Sequence, residues 1–194
     1  MGTAKALLDY HGEMFLDRLI RIFNETCNSV TVVLGHDPSI QHRIKRGAEA
    51  TFVTNPDHEK GQLTSLQCGL KAIPANAEAV IFTPVDYPAI EASTIKALIA
   101  QATRPLTEPR ASATGNASFI VVPRRQGRHG HPVLFAASLI ADFLALPPEA
   151  EARTVVRRNI ANTTYVDVED PGILIDADDP QAYADLLKAT RPAK

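Results

Sequence analysis

The chain has 194 residues, of which 45% are hydrophobic and 22% are charged, and its formal net charge is −2. These values are typical of an ordinary globular protein with one core, and the near-neutral charge argues against a nucleic acid or another polyanion as partner. No apolar run reaches the ~18 residues of a membrane span, no signal peptide opens the chain, and Cys27 and Cys68 lack metal-ligand spacing. We therefore predict a cytoplasmic protein with reduced thiols and no membrane partner.

Helical and strand-like patterns alternate along the chain, which predicts a single α/β domain over residues 1–194 with a mostly parallel sheet flanked by helices. The segment 103–118 lacks periodicity and is rich in proline, alanine, serine and threonine, so we predict a mobile loop there. In chain order, the predicted elements are a helix over 14–26, a strand over 29–34, a short helix opened by Pro38, a strand over 50–54, a helix over 62–73, a strand over 79–83, a helix over 94–102 capped by Ser93, a strand over 119–122, helices over 136–146 and 153–159, a strand over 165–168 and a helix over 180–188.

The run VIFTPVDYP, from Val80 to Pro88, is the most informative segment. An apolar run of this kind suits a buried strand, and the prolines on either side of Asp86 stop both strand and helix. Asp86 is thus expected just beyond the carboxyl end of a central strand, the edge at which open α/β sheets bind ligands. A carboxylate at that edge is suited to hold a metal ion that in turn holds a phosphate. The alternative is an acidic residue in a surface turn.

Two further loops carry polar side chains suited to ligands. Asn55-Pro56-Asp57, Gly61 and Ser65 lie between a predicted strand and helix, where free backbone N–H groups suit a nucleotide base or phosphate. The segment PRRQGRHGHP, residues 123–132, concentrates arginine and histidine between glycines and is suited to an anionic substrate. An ordinary β–α loop and a solvated basic loop are the respective alternatives.

An acidic segment near the carboxyl end completes the candidates. Asp179 precedes Pro180 and fits a helix N-cap, a structural duty that Asp176 and Asp178 do not share. Opposite Asp86, one of these two carboxylates is suited to complete a magnesium site with oxygen ligands. Lys5, near the amino terminus, is by itself an ordinary solvated lysine.

Taken together and in this order, these segments resemble the MobA-like nucleotidyltransferases, most closely the molybdenum cofactor cytidylyltransferases. The pattern of that family begins with a strand and a loop of the form LAAGxSxRMGxxK, followed by ALL. The matches in this chain span nearly its whole length and are Met1-Gly2, Lys5, Ala6-Leu7-Leu8, Asn55-Pro56, Gly61, Ser65-Leu66, Asp86 with Pro88, the run from Gly130 to Phe135, and the run from Asp176 to Pro180 with Tyr183.

The resemblance implies a Rossmann-like fold of the nucleotide-diphospho-sugar transferase type and an Mg²⁺-dependent nucleotidyl transfer. CTP, or another NTP, would give its NMP group to the phosphate of molybdopterin or its molybdenum-loaded form, and pyrophosphate would be released. A molybdoenzyme or its chaperone is the protein partner implied. Two other readings stay open: transfer from GTP or to another acceptor such as a sugar phosphate, and a non-catalytic protein that binds a nucleotide or pterin.

The resemblance also implies the roles of individual residues. Lys5 and Asp86 would be catalytic, Lys5 by neutralising the triphosphate and Asp86 by holding Mg²⁺ together with Asp178. Asp176 would support that site or serve as an alternate ligand. The residues implied for nucleotide binding are Gly2, Lys5, Asn55, Gly61, Ser65 and Asp86, and those implied for the acceptor pocket are Arg124, Arg128, Gly130, His131 and Pro132.

The chain departs from the family pattern most strongly at its start. Nothing precedes Met1, so the first strand, which is central in the family's sheet, and the glycine-rich LAAGxSxR loop are absent from the sequence. Two neighbouring strands would then keep unpaired backbone groups, each of which costs ~1–3 kcal/mol when buried. We expect either that another segment or a partner chain fills the gap or, as we favour, that the recorded start is too late, since Met1 coincides with the Met of the family's RMG. A smaller departure is Glu151, which stands where the family usually has glycine.

Overall fold

The computed structural model describes residues 4–103 and 118–190. Gly2 and the interior of the segment predicted as a mobile loop, residues 104–117, lie outside the described residues. The helices are α1 (Phe15–Asn24), α2 (Gln62–Lys71), α3 (Ala92–Thr103), α4 (Ile140–Leu144), α5 (Arg153–Arg158) and α6 (Pro180–Ala189). The strands are β1 (Asp9–Tyr10), β2 (Glu13–Met14), β3 (Thr31–Leu34), β4 (Thr51–Thr54), β5 (Ala79–Phe82), β6 (Ile120–Arg125), β7 (Arg128–His129), β8 (Val133–Ala136) and β9 (Thr163–Asp167).

The α/β class is confirmed, but the sheet is mixed rather than mostly parallel. β3 and β4 are parallel, as are β6 and β9, whereas β8 is antiparallel to both β5 and β6, and β7 is antiparallel to β6. The difference comes from β8, which the helix and strand patterns did not reveal. After the tight β6–β7 hairpin the chain runs back along β6, and every residue of β8 is buried.

The strands form two main groups that are not hydrogen-bonded to each other. Among the described strands, β3 pairs only with β4, and β5 pairs only with β8 at one end of a five-stranded sheet. Side chains join the two groups instead: Val85, beyond β5, packs in one cluster with Leu34 of β3.

Helices cover both faces of the five-stranded sheet. Successive side chains of β6 point to opposite faces and therefore pack against different helices. Ile120 and Val122 face a core that contains residues of α2, α4 and α5. Val121 faces the other side, where it packs against Leu98 of α3. Within residues 4–103 and 118–190, no helix combines the length and the apolar character that a membrane crossing requires.

Local sequence predicted the N-terminal cap of α6 correctly and that of α3 incorrectly. Asp179 caps α6 as predicted, since its Oδ1 accepts a hydrogen bond of 2.8 Å from Ala182 N. The predicted cap by Ser93 is wrong, because α3 begins at Ala92 and the Ser93 hydroxyl donates to the Glu91 carboxylate. The buried carboxylate of Asp170, far away in sequence, accepts from Glu91 N at 2.9 Å directly before that helix.

Candidate active site at the end of strand β5

Asp86 lies in the turn that follows β5, as the sequence predicted. Tyr87 N donates to the carbonyl oxygen of Pro84 at 3.4 Å, which closes a turn around Asp86. The carbonyl oxygen of Asp86 accepts a hydrogen bond of 2.9 Å from Ala177 N. This backbone bond holds the Asp86 turn beside the acidic segment that contains Asp176 and Asp178.

Lys5 joins the two carboxylates that the sequence proposed as metal ligands. Its Nζ lies 3.2 Å from Asp86 Oδ2 and 2.7 Å from Asp178 Oδ1. The Asp86 side chain is 17% exposed, whereas that of Asp178 is 67% exposed, so the site opens to solvent on the Asp178 side. Asp86 Oδ1 is buried and has no hydrogen-bond partner among the described residues. The inner carboxylate therefore keeps one oxygen for a further cation or donor.

The electrostatics of this group follow from burial and from Lys5. Burial raises the pKa of Asp86; the Lys5 ammonium opposes that effect, and the nearby Asp178 carboxylate adds to it. The hydrogen bond from Lys5 lowers the pKa of Asp178. Partial burial lowers the pKa of Lys5, but its hydrogen bonds to Asp178 and Asp86 outweigh burial and leave that pKa above its usual value. Lys5 is thus a firmly charged cation between two carboxylates.

A second set of contacts links the site to the His131 loop. The Tyr87 hydroxyl donates to Asp176 Oδ2 at 3.4 Å, and the Tyr87 ring lies 4.8 Å, between centroids, from the ring of His131. Burial lowers the pKa of His131 to about 4, so its imidazole is neutral at pH 7, and its buried Nδ1 has no partner among the described residues. Tyr87 carries no motif signal of its own beyond its position directly after Asp86, and the sequence analysis missed it.

The backbone around Gly130 fixes the position of His131. His131 N donates to the carbonyl oxygen of Ile173 at 3.0 Å. A Cβ at position 130 would lie 2.0 Å from that same oxygen, so only glycine permits the approach. Pro132, after a cis peptide bond, is buried behind the histidine. These three predicted acceptor residues therefore form one rigid loop against the segment that precedes the acidic residues.

Asn55, Gly61 and Ser65 lie together in the β4–α2 loop. Asn55 is 2% exposed, and its Nδ2 donates to the hydroxyls of Thr64 and Ser65, both at 3.0 Å. Gly61 has a φ of 114° and open space around its Cα. The polar side chains of Asn55 and Ser65 thus hold the loop itself. Their contact with a nucleotide stays a prediction, for which the free N–H groups at the start of α2 are the available donors.

The two arginines predicted for the acceptor pocket differ in their contacts. Arg124 is committed to a paired hydrogen bond with Asp167, at 2.8 and 2.7 Å. Arg128 lies on the exposed strand β7, and its guanidinium has no partner among the described residues. Of the two, Arg128 is the one available to an anionic ligand.

The donor set fits a divalent cation that is shared with a substrate. Within residues 4–103 and 118–190 no three acidic, histidine or cysteine side chains converge to enclose a metal by themselves. Mg²⁺, however, is usually held by one or two carboxylates together with phosphate oxygens and water. Asp86 and Asp178 already converge on one cation, the Lys5 ammonium, and one buried oxygen of Asp86 has no partner within the described ranges.

Comparison with known proteins finds relatives that span most of this chain. The molybdenum cofactor cytidylyltransferase of Escherichia coli (strain K12) is 22% identical over 184 residues, which are 94% of this chain and 86% of that protein. Rv0371c from Mycobacterium tuberculosis H37Rv has a TM-score of 0.74 at 21% identity, over 97% of this chain and 90% of that one. It has also been solved in complex with manganese, with a TM-score of 0.70 at 19% identity, over 95% of this chain and 91% of that one. A nucleotidyl transferase from Methanothermobacter thermautotroptrophicus has a TM-score of 0.76 at 17% identity, over 97% and 85%.

The structural neighbours share the Rossmann-like fold of nucleotidyltransferases. The family model of the MobA-like NTP transferase domain matches residues 1–163, which include Lys5, Asp86 and the His131 loop. The chain therefore belongs to the MobA-like NTP transferase family of nucleotidyltransferases.

Proposed function

We propose that this protein transfers CMP from CTP to the phosphate of molybdopterin or its molybdenum-loaded form and releases pyrophosphate. The observation that carries the proposal is the convergence of Lys5, Asp86 and Asp178 at the end of β5, where a buried oxygen of Asp86 has no hydrogen-bond partner among the described residues. The similarity to the E. coli cytidylyltransferase supports the choice of nucleotide and acceptor.

The reaction is an in-line displacement at the α-phosphorus of the nucleotide. An oxygen of the acceptor phosphate bonds to that phosphorus, the bond to the bridging oxygen breaks, and pyrophosphate leaves with the electron pair. No covalent intermediate on the protein is needed, so positioning and charge neutralisation supply the catalysis. Lys5 neutralises part of the triphosphate charge, and Asp86 and Asp178 would hold Mg²⁺. The ion, when bound, supplies charge stabilisation and a template for the phosphates.

The remaining predicted residues divide between the two substrates. The β4–α2 loop, with Asn55, Gly61 and Ser65, would receive the nucleotide through backbone N–H groups. Gly130, His131 and Pro132 would shape the acceptor pocket, with Arg128 as the available cation. Because His131 is neutral at pH 7, it would serve the acceptor through hydrogen bonding rather than through charge.

The test is a turnover assay with matched binding measurements. The purified protein, Mg²⁺ and molybdopterin are incubated with CTP or GTP, and pyrophosphate release is measured beside calorimetric titration of each nucleotide with and without Mg²⁺. We expect Mg²⁺-dependent release from CTP in preference to GTP.

The other outcomes separate the alternatives. Turnover with GTP, or with a sugar phosphate in place of molybdopterin, would replace the proposed nucleotide or acceptor. Tight CTP binding without pyrophosphate release would make the protein a binding module. Absence of binding to either nucleotide would contradict the proposed function as a whole.

A further inference from the structure

Tyr87 contacts two parts of the site, the acidic segment and the loop that contains His131, whose side chains make no hydrogen bond to each other among the described residues. Its hydroxyl hydrogen-bonds to Asp176 in the acidic segment, and its ring packs against His131 in the acceptor loop. Among the described residues, the bond between Tyr87 and Asp176 is the only side-chain hydrogen bond that either group makes. A movement of either the acidic segment or the His131 loop thus changes a contact of the Tyr87 side chain.

The position of Tyr87 is itself fixed by the fold. Its backbone N–H closes the turn around Asp86, and its ring packs at the edge of a core cluster formed by α1 and the start of α3. Burial and the neighbouring Asp176 carboxylate raise the pKa of Tyr87 to about 12. At neutral pH the phenol therefore keeps its proton and acts as a donor to the Asp176 carboxylate.

We propose that Tyr87 is a positioning residue that couples the acidic segment to the acceptor loop, by holding Asp176 through its hydroxyl and His131 through its ring. Its contact with Asp176 fixes a side chain beside the Asp86–Asp178 pair, and its contact with His131 fixes a side chain in the wall of the acceptor pocket. The coupling is a property of the fold; its use in nucleotidyl transfer rests on the proposed function.

The coupling is tested without turnover, by NMR of the His131 imidazole in the whole protein. Tyr87→Leu removes the aromatic ring and shifts the His131 ring resonances, whereas Tyr87→Phe keeps the ring and leaves them nearly in place. Asp176→Asn shifts the same resonances in the wild-type background and by less than half as much in the Tyr87→Phe background. Equal shifts in both backgrounds would overturn the proposal. Circular dichroism of each variant confirms that it is folded.

A second measurement tests whether the coupling affects cation binding by the Asp86–Asp178 pair. Mn²⁺ binding in the presence of CTP is followed by electron paramagnetic resonance. Tyr87→Phe and Asp176→Asn each weaken it by about tenfold, the lower end of the effect of residues that support a metal site from outside the ligand set, because Tyr87 holds Asp176 two residues before Asp178. The double variant binds Mn²⁺ no more weakly than the single variant with the larger loss of affinity, because both changes remove the same interaction. Effects that multiply would contradict the proposal.

Tyr183→Phe is the matched control. It also removes one phenolic hydrogen bond, that from Tyr183 to the carbonyl oxygen of Asp9 at 2.7 Å, but among the described residues Tyr183 makes no hydrogen bond to Asp176 and no ring contact with His131. Its Mn²⁺ affinity stays within twofold of the wild type. A wild-type protein that binds neither Mn²⁺ nor CTP would contradict the proposed function, while the NMR experiment would still decide the coupling.

Discussion

The turn after β5 and the loop after β4 both follow a strand and both carry polar side chains, but they use these side chains differently. Asn55 finds its partners within ten residues of itself, and its amide is satisfied inside the loop. Lys5 reaches partners 81 and 173 residues away, and in the part of the chain that the structure describes Asp86 still keeps a buried oxygen without a partner. The first arrangement stabilises a loop; the second maintains an unsatisfied group at a cost in stability, as is typical of a site prepared for a ligand.

The largest effect is expected from Asp86→Asn. The substitution keeps the size of the side chain but removes the charge that holds a cation, so turnover should fall on the order of 10³-fold, since charge stabilisation by a bound metal amounts to several kcal/mol. Pyrophosphate release measures the loss, and circular dichroism shows that the fold is kept. Asp142→Asn, at an exposed position on α4, should retain wild-type turnover. Full activity in Asp86→Asn would discard the assignment of Asp86 to the metal.

Acidification should destabilise the protein through His131. Its pKa is about 4 in the folded state and near 6.5 when unfolded, so between these values the unfolded chain binds more protons. Stability contributed by the neutral imidazole is therefore present above pH 6.5 and is lost as the pH falls towards 4, by up to about 3 kcal/mol. Urea unfolding at a series of pH values measures it. His131→Gln should flatten the curve across this window, and an unchanged slope would contradict the buried, neutral state.

Gly130→Ala should disturb the acceptor loop by steric overlap. The added Cβ would meet the carbonyl oxygen of Ile173, a backbone atom that cannot rotate away, so we expect a loss of about 1–3 kcal/mol in unfolding free energy. Gly47→Ala is the control, because its added Cβ would come no closer than 3.4 Å to the Gln41 carbonyl oxygen. That control should change stability by less than about 0.5 kcal/mol. Equal effects in the two variants would contradict the close approach.

Asn55→Ala gives a further test of the comparison between the two loops. It leaves buried polar partners in the β4–α2 loop unsatisfied and should cost about 1–3 kcal/mol in unfolding free energy. Asn24→Ala, which removes a single exposed hydrogen bond to the carbonyl oxygen of Glu49, should cost about 0.5 kcal/mol or less. Denaturant unfolding compares the two. A smaller cost at Asn55 than at Asn24 would show that the loop does not depend on this amide.

The elements that local pattern predicted are those whose signal lies within a few neighbouring residues. β5 and the position of Asp86 follow from an apolar run that ends between two prolines, and the α6 cap follows from Asp179 before Pro180. β8 and the mixed sheet did not follow, because a short apolar run fits a buried strand or a buried helix equally well, and the last residue of β8, Ala136, was assigned to the predicted helix over 136–146. The cap of α3 was misassigned, since its acceptor, Asp170, is supplied by tertiary structure.

The residues of the candidate site likewise divide into those that sequence motifs identified and those whose role depends on tertiary contacts. The ordered motifs identified Lys5, Asp86 and Asp178, which the fold brings within hydrogen-bond distance. They did not identify Tyr87, whose role depends on contacts 44 and 89 residues away with His131 and Asp176. Nor did they show that Arg124 is occupied by Asp167, because a pairing across two parallel strands cannot be read from either segment alone.

Under the proposed function, the charges of Lys5, Asp86 and Asp178 predict an order for the arrival of ligands. These two carboxylates and one ammonium carry a net charge of −1 among themselves, which disfavours the approach of a bare triphosphate. One divalent cation reverses that sign. A bound divalent cation would thus change the sign of the net charge at this group. Under the proposed function, a nucleotide complexed with its cation would bind there, whereas a nucleotide without the cation would be repelled.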